Sequence, residues 1–267
     1  ERVDQALGIL LETTPLPSVC GRVCPGFCMM QCNRSEMEGP VNVRALERYV
    51  GDHGKAVVTK SASRPERIAI IGGGPAGLSG AYQLARLGYR VTIFEAGAEL
   101  GGLMRTGIPT YRLPREALDR DIERVLALGV ETVFKERVDR ERLVELTHEY
   151  DAVLAATGLQ TLTSVDLGVD LGSGESRVMQ GIEFLEQVAG DGMDVSGEKV
   201  VVVGGGNTAI DAARSAYRLG AESVRIIYRR TRDEMPAIPE EVDDAIDEGI
   251  QIDFLTAPQQ ISRDTEN

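Results

Sequence analysis

Positive charge is scarce in this chain. Its 29 Lys and Arg stand against 42 Asp and Glu, a formal net charge of -13 over 267 residues. A nucleic-acid partner needs a basic face to meet its phosphates, so this balance argues against one. The acidic excess favours solubility without identifying a fold. Long apolar runs are also missing. No stretch approaches the length of a membrane span and no signal-peptide pattern opens the chain, so the expectation is a cytoplasmic protein with no membrane span. Histidine occurs only as His53, in a Gly-Asp-His-Gly turn, and His148, on a polar helix. Neither has partner spacing, and both read as surface residues rather than ligands. There is no low-complexity repeat. Cysteine is confined to four residues between Cys20 and Cys32, and a chain of this size with nucleotide motifs belongs in a reducing compartment rather than to a disulfide scaffold. The first residue is Glu1 rather than an initiator Met, which reads as a processed, truncated or internal start. At 42% hydrophobic and 27% charged residues, the composition is that of a globular protein long enough for more than one core.

What the chain does have is two glycine-rich turns, each entered by an apolar run. The first reads Arg67-Ile-Ala-Ile-Ile-Gly72-Gly-Gly74-Pro75-Ala76-Gly77, and the second Lys199-Val-Val-Val-Val-Gly204-Gly-Gly206-Asn207-Thr208-Ala209. In the first, Gly72 permits a tight turn out of a strand and Gly74 lets the backbone approach a pyrophosphate. Gly77 lets a helix pack on the strand, and free N–H groups at the helix start face the phosphates. Glu95, at the end of the next strand, can accept hydrogen bonds from both ribose hydroxyls and repels a 2′-phosphate. The second motif carries Ala209 at the third glycine position, and its next strand ends in Tyr228-Arg229-Arg230. Guanidinium forks there suit the 2′-phosphate of NADP, the alternative being solvated charges at a strand end. The pair reads as FAD first and NADPH second. Two dinucleotides on one chain imply that electrons pass between them.

The pattern along the chain gives an α/β fold class with a helical, Cys-rich N-terminal region ahead of two Rossmann-like nucleotide-binding units. We divide it into 1–62, 63–197 and 198–267. Val3 to Leu11 and Val43 to Val50 have helical spacing, and Ser61-Ala-Ser-Arg-Pro65 is a linker. Strands are expected at Ile68 to Ile71, Val91 to Phe94, Asp151 to Gly158, Val200 to Val203 and Val224 to Tyr228. Helices are expected at Ala76 to Leu87 (stopped by Gly88), Met179 to Val188 and Thr208 to Leu219, with a Gly- and Ser-rich stretch at Gly168 to Ser176. Asp211 reads as a helix-face contact or as a solvated first-turn acid. The run Pro239 to Glu248 reads as the solvated face of an amphipathic helix.

Cys20, Cys24, Cys28 and Cys32 are evenly spaced, but Pro25 and Gly26 argue against one unbroken helix and for a loop that wraps metal. Spacing alone leaves an iron–sulfur cluster, a four-cysteine zinc site and buried small hydrophobes all open.

Several stretches, in order over nearly the whole chain, carry a resemblance. They are Cys20-Gly-Arg-Val-Cys24-Pro, Gly39-Pro-Val-Asn-Val, Ile70 to Leu78, Phe94-Glu95, and Gly101-Gly102-Leu103-Met-Arg-Thr-Gly-Ile108-Pro. They continue with Tyr111-Arg-Leu-Pro114, Ala156-Thr157-Gly158, Val203 to Asp211, and Tyr228-Arg-Arg230 followed by Glu234-Met-Pro-Ala237. The chain thereby resembles the small subunit of glutamate synthase and its relatives. These include the N-terminal half of dihydropyrimidine dehydrogenase and the large subunit of the NADH-dependent ferredoxin:NADP oxidoreductase. The resemblance implies FAD across the first unit, with Gly101, Gly102 and Leu103 lining its second loop, Met104 to Ile108 leading toward the isoalloxazine, and Thr157 and Gly158 at the strand end. It implies NADPH in the second unit, with Asn207 and Thr208 at the pyrophosphate. It favours 4Fe-4S clusters at the cysteines, with Cys24 and Cys28 serving one cluster, Cys32 another, Cys20 as a packing residue and Glu47 where some relatives place an oxygen ligand. A further upstream cysteine group completes two clusters in relatives; without it, one cluster held by all four cysteines is the fallback. Relatives also continue past Phe254 to Pro258 with a Gly-Asp segment that contacts the flavin, so the chain reads as a fragment of a larger subunit.

The implied activity is an electron-input module, in which hydride passes from NADPH to FAD and single electrons pass through clusters to a partner subunit. That partner is the large subunit of glutamate synthase or a ferredoxin-type protein, in a hetero-oligomer. Hydride transfer of this kind needs no side-chain acid or base, and no catalytic residue is named. The alternatives are a subunit of a ferredoxin-coupled or bifurcating NADPH oxidoreductase, and a truncated nucleotide-binding scaffold without flavin turnover.

Overall fold

A computed structural model describes residues 2–55, 58–159, 178–190 and 192–261. The chain divides into two compact units, Glu1–Gln160 and Thr161–Asn267. The Gly168 to Ser176 stretch lies outside the described residues.

The first unit holds four strands: β1 (Arg67–Ile71), β2 (Arg90–Glu95), β3 (Glu131–Phe134) and β4 (Ala152–Ala155). They form a parallel sheet in the order β3-β2-β1-β4. The run Ile68–Ile71 is apolar throughout because both faces of β1 are covered. Ile68 and Ile70 join Leu78, Tyr82 and Leu118 on one side, and Ala69 and Ile71 join Phe94 and Leu146 on the other. Helices Pro75–Arg86, Arg115–Leu126 and Arg140–Glu149 supply those layers. The linker is pinned along the sheet, where Ser61 N–H donates to Arg86 O at 2.8 Å and Arg64 N–H to Gly88 O at 2.9 Å.

The cysteine-bearing segment belongs to the same compact unit. Its main helices are Arg2–Leu10, Pro17–Val23, Phe27–Met30 and Val43–His53. Leu7, Leu11, Leu16 and Val19 enter the core cluster that holds Ile70 and Leu118. The break expected at Pro25 and Gly26 is present, with Gly26 at φ +74° between two short helices. Helix Val43–His53 runs past the expected Val50 and takes in the Gly-Asp-His stretch read as a turn. His53 is in its last turn, with its Nδ1 2.9 Å from Tyr49 O and its ring stacked on that of Tyr49. Close packing of the buried Gly51 against Ser18, where a Cβ would lie 2.8 Å from Ser18 N, wins over its turn signal. Helices Pro17–Val23 and Val43–His53 cross so closely that a Cβ on Gly21 would lie 2.4 Å from Arg48 N.

Polar groups then hold this segment to helix Arg115–Leu126. Asp121 is fully buried and accepts the Val19 N–H at 2.9 Å, near the start of helix Pro17–Val23. Arg124 pairs with Asp121 and donates to Gly51 O. At the rim, Asp52 accepts from Arg22 at 2.7 Å and from Arg120 at 3.0 Å.

The second unit has a three-stranded parallel sheet in the order β5 (Lys199–Val203), β6 (Ser223–Ile227), β7 (Gln251–Asp253). Helices Gly181–Ala189, Asn207–Arg218 and Pro239–Asp247 close its core around Leu185, Ile210, Ile226 and Val242. Two expectations are corrected here. Asp211 is buried, so it is not a solvated acid. The acidic helix Pro239–Asp247 is not simply a solvated face either. Arg214, almost fully buried, draws Glu241 (2.5 Å) and Glu248 (2.7 Å) inward, because a buried guanidinium must be matched by carboxylates.

Burial pushes the Asp121 carboxyl up to about 6 from its ordinary 3.8, against the opposing pull of the Val19 N–H, Arg124 and Ser18. The native state therefore binds more protons than the unfolded chain between those two values, and this group's contribution to stability falls as pH rises through that window. In the neutral variant Asp121→Asn that slope is absent. Thermal melts of both proteins from pH 4 to 7 should show wild type losing ground to the variant as pH rises; a constant difference would mean that Asp121 titrates ordinarily.

Candidate functional site

The carboxyl ends of β1, β2 and β4 meet at one place, because β1 lies between the other two. Ile71 is in register with Phe94 on one side and Ala155 on the other. This is the crevice where strand order reverses, the usual ligand position of an open parallel sheet. Gly72, with φ +102°, leaves β1 against Ala156 O, so the turn touches the start of the Thr157-Gly158 segment. Thr157 and Gly158 are both exposed there.

Helix Pro75–Arg86 starts directly after the turn. Pro75 occupies its first position, where the missing N–H costs nothing, and the next N–H groups have no partner within the helix. Pro75 and Ala76 are exposed. Gly77 is buried in the turn behind them, where a Cβ would lie 1.9 Å from Gly72 O. A second loop closes on the same place. Gly101 N–H donates to Gly73 O at 2.9 Å, and a Cβ on Gly102 would lie 2.9 Å from Gly74 Cα. Two bare glycine backbones thus meet with no side chain between them, which leaves both open to close approach by a pyrophosphate. Leu103 opens the short helix Leu103–Thr106 beyond.

Glu95 is held rather than loose. Its two carboxylate oxygens accept the N–H groups of Gly73 and Gly97, each at 2.7 Å. Each oxygen keeps a further lone pair, since a carboxylate has about four acceptor sites. The residues expected at FAD, Gly72, Gly74, Pro75, Ala76, Gly77, Glu95, Gly101, Gly102, Leu103, Thr157 and Gly158, therefore gather around one crevice. Gly97, two residues past Glu95, is an addition, since its N–H holds the carboxylate.

The second unit repeats the turn with different chemistry. Gly204, with φ +143°, leads to Gly206 and helix Asn207–Arg218. Ala209 occupies the third glycine position; its Cβ lies 3.5 Å from one built on Gly204, so this turn has room for the methyl group. Asn207 does more than line the turn. Its Oδ1 accepts the Ile238 N–H at 2.9 Å, which ties the 231–238 segment to the helix start. The Ala237 N–H donates to Gly205 O at 3.1 Å and the Tyr228 hydroxyl to Glu234 O at 2.8 Å. The stretch Glu234-Met-Pro-Ala237 is thereby folded against the turn. Thr208 follows Asn207 in the first turn of the helix. Arg229 and Arg230 are exposed at the end of β6, beside the glycine turn because β5 and β6 are paired neighbours.

The cysteines occupy four separate settings. Cys20, on helix Pro17–Val23, has its thiol pushed up to about 11, first by burial and then by Glu47, Asp121 and Cys24. Glu47, on the crossing helix Val43–His53, is itself raised by burial. The Cys24 sulfur receives the Gly26 N–H at 3.5 Å. Cys28 is exposed. The Cys32 thiol is pulled below its ordinary value by backbone N–H groups of Val41 and Arg34 and by the Arg34 charge. Thiols receiving backbone N–H groups fit the donor chemistry of an iron–sulfur ligand. No three His, Cys, Asp or Glu side chains converge on one point among the described residues. No helix among the described residues is long and apolar enough to cross a membrane.

Comparison with known proteins agrees with this geometry. Residues 59–267 match the pyridine nucleotide-disulphide oxidoreductase family, and residues 1–58 match domain II of dihydropyrimidine dehydrogenase, a 4Fe-4S cluster domain. The chain belongs to the pyridine nucleotide-disulphide oxidoreductase family, preceded by that 4Fe-4S domain. It is 41% identical to the NADPH-Fe(3+) oxidoreductase subunit beta of Geobacter sulfurreducens, over 97% of this chain and 40% of the relative. It is likewise 41% identical to the NADP(+)-dependent formate dehydrogenase subunit beta of Moorella thermoacetica, over 96% and 40%. Identity to the glutamate synthase (NADPH) small chain of Escherichia coli is 33%, over 96% and 58%. The chain thus spans less than two thirds of the length of these relatives. Among solved structures, Mycobacterium tuberculosis FprA in complex with NADPH shares the fold at a TM-score of 0.59 and 23% identity, over 70% of this chain and 48% of that one.

The two turns give opposite expectations for one methyl group. Gly77→Ala forces a Cβ into the Gly72 carbonyl and should cost about 1–3 kcal/mol together with most of the bound flavin. Ala209→Gly should cost under ~1 kcal/mol. Chemical denaturation and flavin content of the two variants check this, and equal losses at both positions would contradict the close-packed reading of the first turn.

Proposed function

We propose that this chain is the electron-input part of a larger NADPH-dependent oxidoreductase. Hydride is taken from NADPH onto FAD, and electrons leave singly through iron–sulfur clusters to a partner subunit. The observation that carries this is the opposite charge at the ends of two equivalent strands: Glu95 beside the first glycine turn, Arg229 and Arg230 beside the second. A carboxylate accepts an unphosphorylated ribose and repels a 2′-phosphate, and a guanidinium pair does the reverse. Bound flavin and nicotinamide supply the redox chemistry themselves, and the protein supplies alignment and electrostatics.

In this reading the residues divide as the sequence suggests, into a cluster-bearing 1–62, an FAD-binding 63–197 and an NADPH-binding 198–267. In the FAD-binding part, Glu95 is pre-set by Gly73 and Gly97 to receive the ribose, and the side-chain-free backbones of Gly74 and Gly102 let the pyrophosphate come close. Gly204, Gly206, Asn207, Thr208 and Ala209 form the corresponding turn for NADPH. Cys24, Cys28 and Cys32, with Cys20 and Glu47 adjoining, present ligands to iron–sulfur clusters. The assembly is a hetero-oligomer, and the acceptor is a glutamate synthase large subunit or a ferredoxin-type protein. The two relatives at 41% identity, both named as beta subunits of NADP(H)-dependent oxidoreductases, support a place in a multi-subunit assembly.

The test is an anaerobic visible spectrum of the full polypeptide with its co-purifying subunits, with flavin and iron content, before and after NADPH. Flavin and iron–sulfur bands that bleach on addition are expected. A colourless protein that still binds NADPH would replace this reading with a nucleotide-binding scaffold. Replacing both Arg229 and Arg230 by Ser should weaken NADPH binding roughly 10- to 100-fold, the value of one or two lost charge-assisted bonds, and leave NADH binding unchanged in equilibrium titrations. Parallel losses for both nucleotides would place the 2′-phosphate elsewhere.

A further inference from the structure

Helix Arg115–Leu126 touches two functional segments that are far apart in sequence. Near its start, Arg115 donates to Met104 O at 3.3 Å, and Asp119 pairs with Arg105, whose Nε also donates to Leu100 O at 2.6 Å. These contacts hold the loop from Leu100 to Ile108, which closes on the first glycine turn. Further along, Asp121 and Arg124 hold the segment that carries the cysteines, through the Val19 N–H, the Gly51 carbonyl and, at 3.5 Å, the Ser18 hydroxyl. Helix Pro17–Val23, so held, bears Cys20 and ends at Cys24.

We propose that helix Arg115–Leu126 is a strut that sets the separation between the flavin loop and the cysteine segment, and that Arg124 is its positioning residue at the cysteine end. This deepens the functional reading above and rests on it. An α-helix rises 1.5 Å per residue, so Arg115 and Arg124 are separated by roughly 14 Å along a stiff rod. Arg124 is suited to the role because its planar fork satisfies three acceptors on three different segments: a carboxylate of its own helix, a hydroxyl on Pro17–Val23 and a carbonyl on Val43–His53. Hydrophobic contact alone would leave the two helices free to slide, whereas directional bonds to backbone atoms fix their register. Transfer from the flavin to a cluster moves one electron with no bond made or broken in the protein. Distance is therefore one quantity that the chain's packing controls.

The test uses the full polypeptide in its complex, loaded with its cofactors, as wild type, Arg124→Gln and Arg124→Lys. Stopped-flow mixing with NADPH separates flavin bleaching from the later loss of iron–sulfur absorbance. For Arg124→Gln the bleaching rate should stay within about twofold of wild type while electron passage to the clusters slows about tenfold or more, as small misplacements do in other positioned reactions. Arg124→Lys should recover part of that loss. Hydrogen exchange gives a readout independent of turnover: amides of Pro17–Val23 and of Gly51 and Asp52 should exchange faster in Arg124→Gln, with β1 and β2 unchanged. Equal slowing of both kinetic phases, or unchanged exchange in those amides, would overturn the proposal. If Arg124→Gln does not retain its cofactors, Arg120→Gln removes a partly exposed contact to Asp52 at the same junction. It should slow only the second phase, and no slowing would count against the strut. A wild-type complex whose flavin does not bleach with NADPH would instead sink the functional reading on which the strut rests.

Discussion

The buried carboxylate of Asp121 decides how the cysteine segment sits. It lies inside the first unit with its charge matched by Arg124 and one bond spent on the Val19 N–H. A buried ion pair is a weak source of stability, because desolvation consumes most of the attraction. What it supplies is direction. An apolar contact between helices Pro17–Val23 and Arg115–Leu126 would tolerate several registers, whereas a carboxylate aimed at one N–H tolerates one. Around it, the absent side chain at Gly21 lets helix Val43–His53 come close enough for Gly51 O to reach Arg124. Glu47, Cys20 and Cys24 take their places as a consequence of that packing.

The dinucleotide turns show how one backbone solution is used for two ligands. Both follow a parallel strand, both put a glycine with positive φ at the first position, and both open a 12-residue helix. They differ where ligand identity is decided. The first turn is closed tightly enough to exclude a methyl group at Gly77, and its acid is clamped by two backbone donors. The second accepts Ala209 and ends its neighbouring strand in two arginines. Its third side is built by Asn207, which spends its side-chain carbonyl on Ile238 and so gathers the Glu234 to Ala237 stretch against the turn. Sequence stretches that share a resemblance without an obvious task thus acquire one, as the wall of the second turn.

The fold's main features are legible in the sequence because they rest on local rules. Ile68 to Ile71 and Val200 to Val203 read as strands from continuous apolar runs, and the glycines after them require turns whatever surrounds them. Pro25 and Gly26 break the cysteine helix by local geometry alone. What escapes is non-local. Strands β3 and β7 are short, and β3 carries Glu131 and Thr132, so their apolar signal is weak; they are strands because β2 and β6 offer free edges. The Gly-Asp-His stretch imitates a turn and is helical because its neighbours cover it. Asp121 and Arg124 give no sign of their task in the sequence, since nothing in the local pattern announces a second segment about a hundred residues upstream. The acidic helix Pro239–Asp247 misleads in the same way: charges that pair across elements, here with Arg214, look solvated when read along one element.

The same distinction separates binding from transfer in this molecule. Recognition of a dinucleotide is local, a matter of a few glycines, a helix start and one charged strand end, and so it can be written into a short motif and duplicated within a chain. Passage of an electron between groups depends on their separation, which no short motif can encode. It is set instead by elements that carry no chemistry of their own, and the physical requirement on those elements is stiffness with directional contacts at both ends. Helix Arg115–Leu126 meets that requirement through Arg115 and Asp119 at one end and Asp121 and Arg124 at the other. The charged residues on its inward face are buried at a desolvation cost that recognition of FAD alone does not call for, and holding the cysteine segment in one register gives that cost a reason.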